Sequence, residues 1–375
     1  MNDPEGEQQL QQDRPGDART GGDKDSKSVP RWRRALGIGA SLVLLVLLFV
    51  GVIPKFASYS DTWAHMTELG AWWWAAIAVA ATVTQISGVW IYQAALPGLR
   101  LSRGFLEIET TSAISNTVPS GGAVAVGMTY KMFTSFGFSD LDVSTAVVVT
   151  GVWNLAAKLA LPVVAVALLA VTAHPPKAAL SAAAVGAGVM VLAGLALWLV
   201  FRSETTARWL GRLADGVVNW VLHFFHKAET DRIDRAVLHF RGQTLETVQR
   251  RGWLLTGTAL ASQLVTLALV LIIVRAVGIT DGQVSFAAVF TSFAVARLAG
   301  AVPVTPGGLG TVDAAFVSML AAFGTNASHA LAADLLWRLT TYLLPLVLGL
   351  VAYLVWMRQE EGRTVRRIPG VRRRR

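Results

Sequence analysis

Six stretches of this chain run for nineteen residues or more with one charge among them all. They are Ala35–Ile53, Ala71–Leu96, Val143–Val171, Ala178–Val200, Trp253–Val274 and Leu339–Met357, and the charge is Lys158. At 1.5 Å per residue, each crosses a hydrocarbon core of about 30 Å. One such block fits inside a soluble core, but six do not. The apolar residues fill these blocks instead of recurring at amphipathic spacing, so a polytopic all-α membrane protein with six full spans is expected. Only 15% of the residues are charged, against about a quarter in soluble chains. The chain has no cysteine, which excludes disulfide frameworks and thiol chemistry. Its six histidines show no metal-ligand spacing, so neither a metal nor another cofactor is expected, and no catalytic residue is assigned.

The net charge of +9 lies outside the apolar blocks. Basic residues that flank spans point to membrane orientation and anionic lipid, not to nucleic acid. Residues 1–34 hold little that is apolar and end on Arg31, Arg33 and Arg34, so they read as a disordered cytoplasmic tail. A first membrane half covers 35–201, with HPPK at 174–177 as a tight turn between spans. The loop 202–252 carries nine Lys/Arg and six Asp/Glu, and its run at 209–226 has the spacing of an amphipathic surface helix. A second half covers 253–357. The tail 358–375 carries eight arginines. Trp72, Trp73 and Trp74 open the second span as an interfacial belt.

Two further apolar regions, 105–136 and 286–323, are broken by Pro119-Ser-Gly-Gly and by Pro303 with Pro306-Gly-Gly-Leu-Gly. Neither half of either region spans comfortably alone, and broken helices persist in a bilayer only where protein or a hydrated cavity covers the freed backbone. If each region crossed once, 202–252 would carry its basic residues on the outer face. If each enters and returns, 1–34, 97–104, 202–252 and 358–375 all lie in the cytoplasm. Re-entrant segments are therefore expected, with a pair of short crossings per region as the alternative of equal parity. The segments WNLAAKLALP from Trp153 and WRLTTYLLP from Trp337 each follow a Gly-Gly pair by about thirty residues. The broken regions and the spans after them read as inverted repeats, an arrangement that handles substrate near mid-membrane.

The breaks supply the candidate substrate path: Gly121, Gly122, Pro306, Gly307, Gly308 and Gly310, with helices expected from Thr129 and Val312. Helix N-termini attract phosphate or carboxylate, although a tight packed turn explains the same glycines. Lys158 lies mid-span, where an ionisable group costs a few kcal/mol unless paired or hydrated. Asn154 is one turn away, and Glu109 is a possible structural partner. Arg297 and Asp313 bracket the second break. With Thr311 as N-cap, Asp313 complements the helix dipole or pairs with Arg297. Asp334 and Arg338, at i and i+4, read as a neutralising pair. Glu109, Ser112 and Asn116 share a face, and Lys131 snorkels from beyond the first break.

SNTVPSGG at 115–122 with Tyr130-Lys131, and PVTPGGLGTVDAAF at 303–316, resemble the flippase-like membrane domain of lysylphosphatidylglycerol synthases over roughly 35–357. Asp313 stands where that family often has Glu, and AVAVG at 123–127 replaces its usual Gly-Glu and Arg. The resemblance implies translocation of an anionic, aminoacylated or glycosylated lipid in the cell membrane, alongside a separate lipid-modifying enzyme. The chain ends eighteen residues after its last span, so the soluble aminoacyl-transfer domain is expected to be absent and the chain not to be an enzyme. Alternatives are a proton-coupled transporter of a small anion and a component of a polyprenyl-linked glycosyltransferase, the latter disfavoured because no DxD-type carboxylate pair occurs on a loop.

With no native cysteine, single-cysteine variants test the threading. Ala228→Cys and Phe138→Cys should react with a membrane-impermeant thiol reagent only from the cytoplasmic side, and Thr325→Cys only from outside. Reaction of residue 228 on intact cells would overturn the topology.

Overall fold

The computed structural model describes residues 67–117, 121–172, 188, 233–300 and 305–367, all within the compact unit Gly37–Arg375. The expected spans 35–53 and 178–200, the turn 174–177, the amphipathic run 209–226, the tail 1–34 and most of the tail 358–375 lie outside these residues. Every regular element among the described residues is helical: α1 (Ala71–Ala95), α2 (Leu101–Thr117), α3 (Gly121–Ser135), α4 (Asp140–Thr172), α5 (Ile233–Ala276), α6 (Phe286–Ala299), α7 (Thr311–Ala322), α8 (Ala327–Arg338) and α9 (Leu344–Arg367). A 3-10 turn covers Pro306–Gly308, and a π-helical turn covers Leu339–Leu343. Four stretches are long and apolar enough to cross a membrane: Ala71–Ala95, Asp140–Val171, Glu246–Ala276 and Ala327–Glu361. The protein is an all-α polytopic membrane protein.

Local chemistry sets the helix boundaries. Ser139 caps α4 by accepting from the Asp142 amide at 3.1 Å while donating to the Asp142 carboxylate. Ser285 and Asn326 cap α6 and α8 through the amides of Ala288 and Ser328. Several expected boundaries move. The first break is followed by helix from Gly121 itself, not from Thr129. The loop boundary at 252/253 falls inside α5, because 233–252 continues the span as one 44-residue helix. The last span begins at Ala327, not Leu339, and passes through the π turn ahead of Pro345. Proline has no N–H for the carbonyl four residues back, so the helix must widen or kink there.

Two apolar cores divide the bundle by depth. One takes Ile77 and Ala81 of α1, Leu161 and Ala165 of α4, Leu267 to Val277 of α5, and much of α6 and α7. The other takes Ile91 and Ala94 of α1, Val143 to Ala157 of α4, Leu255 and Ala259 of α5, and the end of α3. Successive positions on three long helices thus mark opposite ends of the bundle. The broken regions sort onto these ends. Leu99, ahead of α2, and Phe136, after α3, belong to the second core, and Arg103 Nη1 donates to Phe136 O at 3.2 Å. Val284, ahead of α6, and Phe323, after α7, belong to the first. Each broken region is therefore a helical hairpin that returns to the end it left, and the two hairpins start from opposite ends. Their helices have 17, 15, 14 and 12 residues, or about 18–26 Å, short of a full hydrocarbon core.

The helix pairings repeat across the two halves. α2 packs on α3 as α6 packs on α7, and α1 packs on α5. Each hairpin also lies against the long helix of the other half: α2 against α9, and α6 against α4. The duplication read in the sequence therefore has a counterpart in the packing.

Small residues let these helices approach closely, since packing rather than hydrophobicity holds helices together in lipid. At Gly349 of α9 a Cβ would collide with the Glu109 carbonyl and Ala113 of α2, whereas at Gly151 it would meet nothing within 4 Å. Gly349→Ala should destabilise the protein by about 1–3 kcal/mol, the usual cost of overpacking. Gly151→Ala should be neutral or stabilise by up to about 1 kcal/mol. Thermal unfolding in detergent reads both.

Candidate functional site

Polar side chains from several helices pair with one another inside the bundle. Ser87 Oγ and Ser262 Oγ lie 3.1 Å apart across α1 and α5. Gln85 Nε2 donates to Glu109 Oε2 at 3.2 Å. Arg297 Nε donates to Gln263 Oε1 at 3.2 Å. Tyr342 Oη donates to the Asn116 carbonyl at 2.8 Å, which ties the end of α2 to the π turn of the other half. The first and last of these bonds join residues more than 170 positions apart. In hydrocarbon a polar side chain that faces the bundle interior and finds a partner there costs least.

The second break forms the floor of this layer. Gly307, Gly308 and Gly310 all have positive φ, at 61°, 67° and 84°, which only glycine adopts without strain. A Cβ on Gly307 would lie 2.7 Å from Tyr342 Cε2 and 3.0 Å from Asn116 Oδ1, so the turn also needs the missing side chain. The N-cap of α7 is Gly310, not Thr311, and the Gly310 amide donates to Asp313 Oδ2 at 2.5 Å. Arg338 Nη1 and Nη2 donate to the carbonyls of Gly307 and Gly308, each at 3.1 Å, while Nε donates to Asp313 Oδ1. The partner of Arg338 is thus Asp313, not Asp334, and the partner of Asp313 is Arg338, not Arg297. The Asp313 carboxylate fills the position at the start of α7 that an exogenous anion would take. Asp334 is buried with Asp313 and Arg338 as charged neighbours, and its Oδ1 has no hydrogen-bond partner among the described residues.

Lys158 lies on α4, the helix that packs on α6. The charge that acts on it most strongly is Arg297 of α6, and Arg338 acts in turn on Arg297. Among the described residues Lys158 makes no hydrogen bond or ion pair. Arg297, among the described residues, bonds the neutral Gln263 alone, and its guanidinium carbon lies 5.9 Å from the Phe293 ring centre. Glu109 is not the lysine's partner, since its carboxylate meets Gln85. The undescribed residues of the two breaks, 118–120 and 301–304, carry no charged side chain. Two cations that act on one another therefore share this layer, and among the described residues no carboxylate pairs with either.

The remaining candidates fall around this centre. Asn154 is half-buried one turn from Lys158. Gly121 packs directly on the backbone of Ile114 and Ser115, while Gly122 borders open space. Pro306 opens the 3-10 turn. Lys131 lies elsewhere, exposed near the second core with its ammonium 5.3 Å from the Trp356 ring centre. Sequence reasoning missed Gln263 and Tyr342. Tyr342 had a signal, because it follows Trp337 at the spacing by which Lys158 follows Trp153. Gln263 had none. Glu107, buried and accepting from Thr129 Oγ1 at 2.6 Å, was also missed.

Paired broken hairpins against long spans, with charged side chains inside the bundle, define a polytopic membrane protein with a polar interior. Residues 35–349 match the family described as the lysylphosphatidylglycerol synthase transmembrane region, and the chain belongs to that family. Over 76 residues it is also 37% identical to a UPF0104 membrane protein of Methanocaldococcus jannaschii, covering 20% of this chain and 23% of that protein. The match thus spans under a quarter of that relative's length.

Breaking the clamp and loosening its neighbour should have distinct costs. Arg338→Met leaves Asp313 unpaired and two turn carbonyls without a donor, so a loss of about 3–5 kcal/mol is expected. Tyr342→Phe removes one hydrogen bond and should cost about 1 kcal/mol. Thermal unfolding of the purified protein separates the two.

Proposed function

We propose that the protein translocates a lipid with an anionic headgroup, which Lys158 and Arg297 draw into the polar layer between the two hairpins. The observation that carries this reading is the pair of cations that has no paired carboxylate among the described residues. Two like charges at that depth repel each other and are poorly solvated, so the arrangement costs stability in the empty protein. An anionic group between them removes both penalties. Arg338 and Asp313 satisfy each other and hold the glycine turn, so their role is positioning.

A lipid is favoured over a free anion by the family, whose name refers to the synthase of an aminoacylated phospholipid. A lipid headgroup must leave water while its tails stay in hydrocarbon, which demands a polar layer reachable from the side of the bundle. Hairpins that start from opposite ends would let that layer open toward either leaflet in turn. Under this reading the membrane is the cell membrane, both termini and 202–252 are cytoplasmic, and a separate lipid-modifying enzyme supplies the substrate. The chain itself is not an enzyme.

The test is purified protein in liposomes carrying labelled phosphatidylglycerol, lysyl-phosphatidylglycerol or a polyprenyl phosphate in one leaflet. Protein-dependent movement of one of these is expected. Lys158→Met and Arg297→Gln should abolish that movement while leaving thermal stability unchanged or raised, because each relieves the like-charge contact. If both variants move lipid at the wild-type rate, the cation pair is not the path. Uptake of a water-soluble anion with no lipid movement would assign the protein to solute transport instead.

A further inference from the structure

A second place where cations meet apolar surface lies away from the polar layer. α1, α2 and α9 enclose a groove of about 610 Å3. Arg100, Arg103 and Gln359 line it at the end of the bundle that holds the second core, and Ile86, Phe105 and Val355 continue it along the helices. Thr82 also lines the groove, but its hydroxyl donates to Ala78 O at 2.8 Å on its own helix, so it adds no free donor to the wall. Val355 is 38% exposed, on a face of α9 that also presents Val351 and Leu354. In a membrane protein that face meets acyl chains.

The polar end is unevenly committed. Arg103 donates to the Phe136 carbonyl at 3.2 Å and lies 5.5 Å from the Phe136 ring centre, so it is held in place with donors left over. Arg100 is exposed, and its guanidinium makes no hydrogen bond or ion pair among the described residues. No acidic side chain lines the groove. Positive charge at one end and an apolar wall running away from it complement a single class of molecule, an anionic amphiphile lying along the helices.

We infer that this groove is a binding site for an anionic phospholipid, with the phosphate at Arg100 and Arg103, a headgroup hydroxyl at Gln359, and one acyl chain along Ile86, Phe105 and Val355. The site is built without Lys158 or Arg297 and stands whether or not the polar layer moves lipid. Lipid held here steadies the contact between α2 and α9, through which the first hairpin leans on the second half.

Native mass spectrometry of the full-length detergent-purified protein, titrated with phosphatidylglycerol or with phosphatidylcholine of the same chains, tests the inference. Phosphatidylglycerol should be retained preferentially, and Arg100→Gln should lower that preference about fivefold, the worth of one Arg at an anionic lipid. Val355→Trp, which fills the apolar part of the groove, should lower retention of both lipids. Arg100 is exposed and unbonded, so its variant keeps the fold and decides the matter even if Val355→Trp unfolds. Equal retention of the two lipids by the wild type, or an unchanged preference in Arg100→Gln, would mean non-specific boundary lipid and overturn the site. Displacement of bound lipid by millimolar inorganic phosphate would likewise overturn it, because the apolar groove would then contribute nothing.

Discussion

A backbone that leaves the helix inside a bilayer must find every hydrogen-bond partner within the protein. At the second break Arg338 supplies two of them directly and positions a third. One guanidinium bonds the carbonyls of Gly307 and Gly308 and the carboxylate of Asp313, and that carboxylate caps α7 through the Gly310 amide. The planar fork of donors makes this possible, and the single point charge of a lysine would not reproduce it. Because Arg338 ends α8 just before the π turn, the clamp also sets where Tyr342 stands and hence where the first hairpin touches the second.

The polar layer follows from that anchoring. Long helices pass through it with one or two polar residues each, between apolar segments that pack into separate cores. Its bonds run between α1 and α5, α1 and α2, α5 and α6, and α2 and the π turn. Each is neutral or has one charged partner. Among the described residues the Arg338–Asp313 pair is satisfied and Lys158 and Arg297 have no carboxylate partner, so one half of the layer is neutralised and the other carries unmet charge. This asymmetry locates the proposed substrate position beside α4 and α6, not at the start of α7.

The four long spans among the described residues were legible because their signal is local: an uninterrupted apolar run of sufficient length has few other homes. Both breaks were legible for the same reason, since Pro and Gly interrupt helices whatever surrounds them. Pairing was not. Asp334 and Arg338 share a helical face, and Arg297 and Asp313 flank one turn, so sequence distance favoured those partners. The hairpin instead folds α7 against α8 and carries Asp313 to Arg338. Gln263, in the middle of α5, met Arg297 only through packing. The start of α3 was misplaced for a subtler reason: two glycines weaken helix propensity, yet the close approach of Gly121 to the α2 backbone needs one of them inside the first turn.

The amino-acid sequence by itself determined the membrane class, the long spans, the two glycine breaks and the duplicated order of elements around them. Each is set by runs and spacings within a few tens of residues, where hydrophobic length and backbone freedom decide. Only the tertiary structure decided that the breaks are hairpins from opposite ends, that α2 lies on α9 and α6 on α4, and which charges find partners. Those outcomes depend on contacts between residues more than two hundred positions apart, such as Tyr342 on Asn116. In a low-dielectric interior, a move of a few ångströms decides whether a buried cation is paired or left to bind something else.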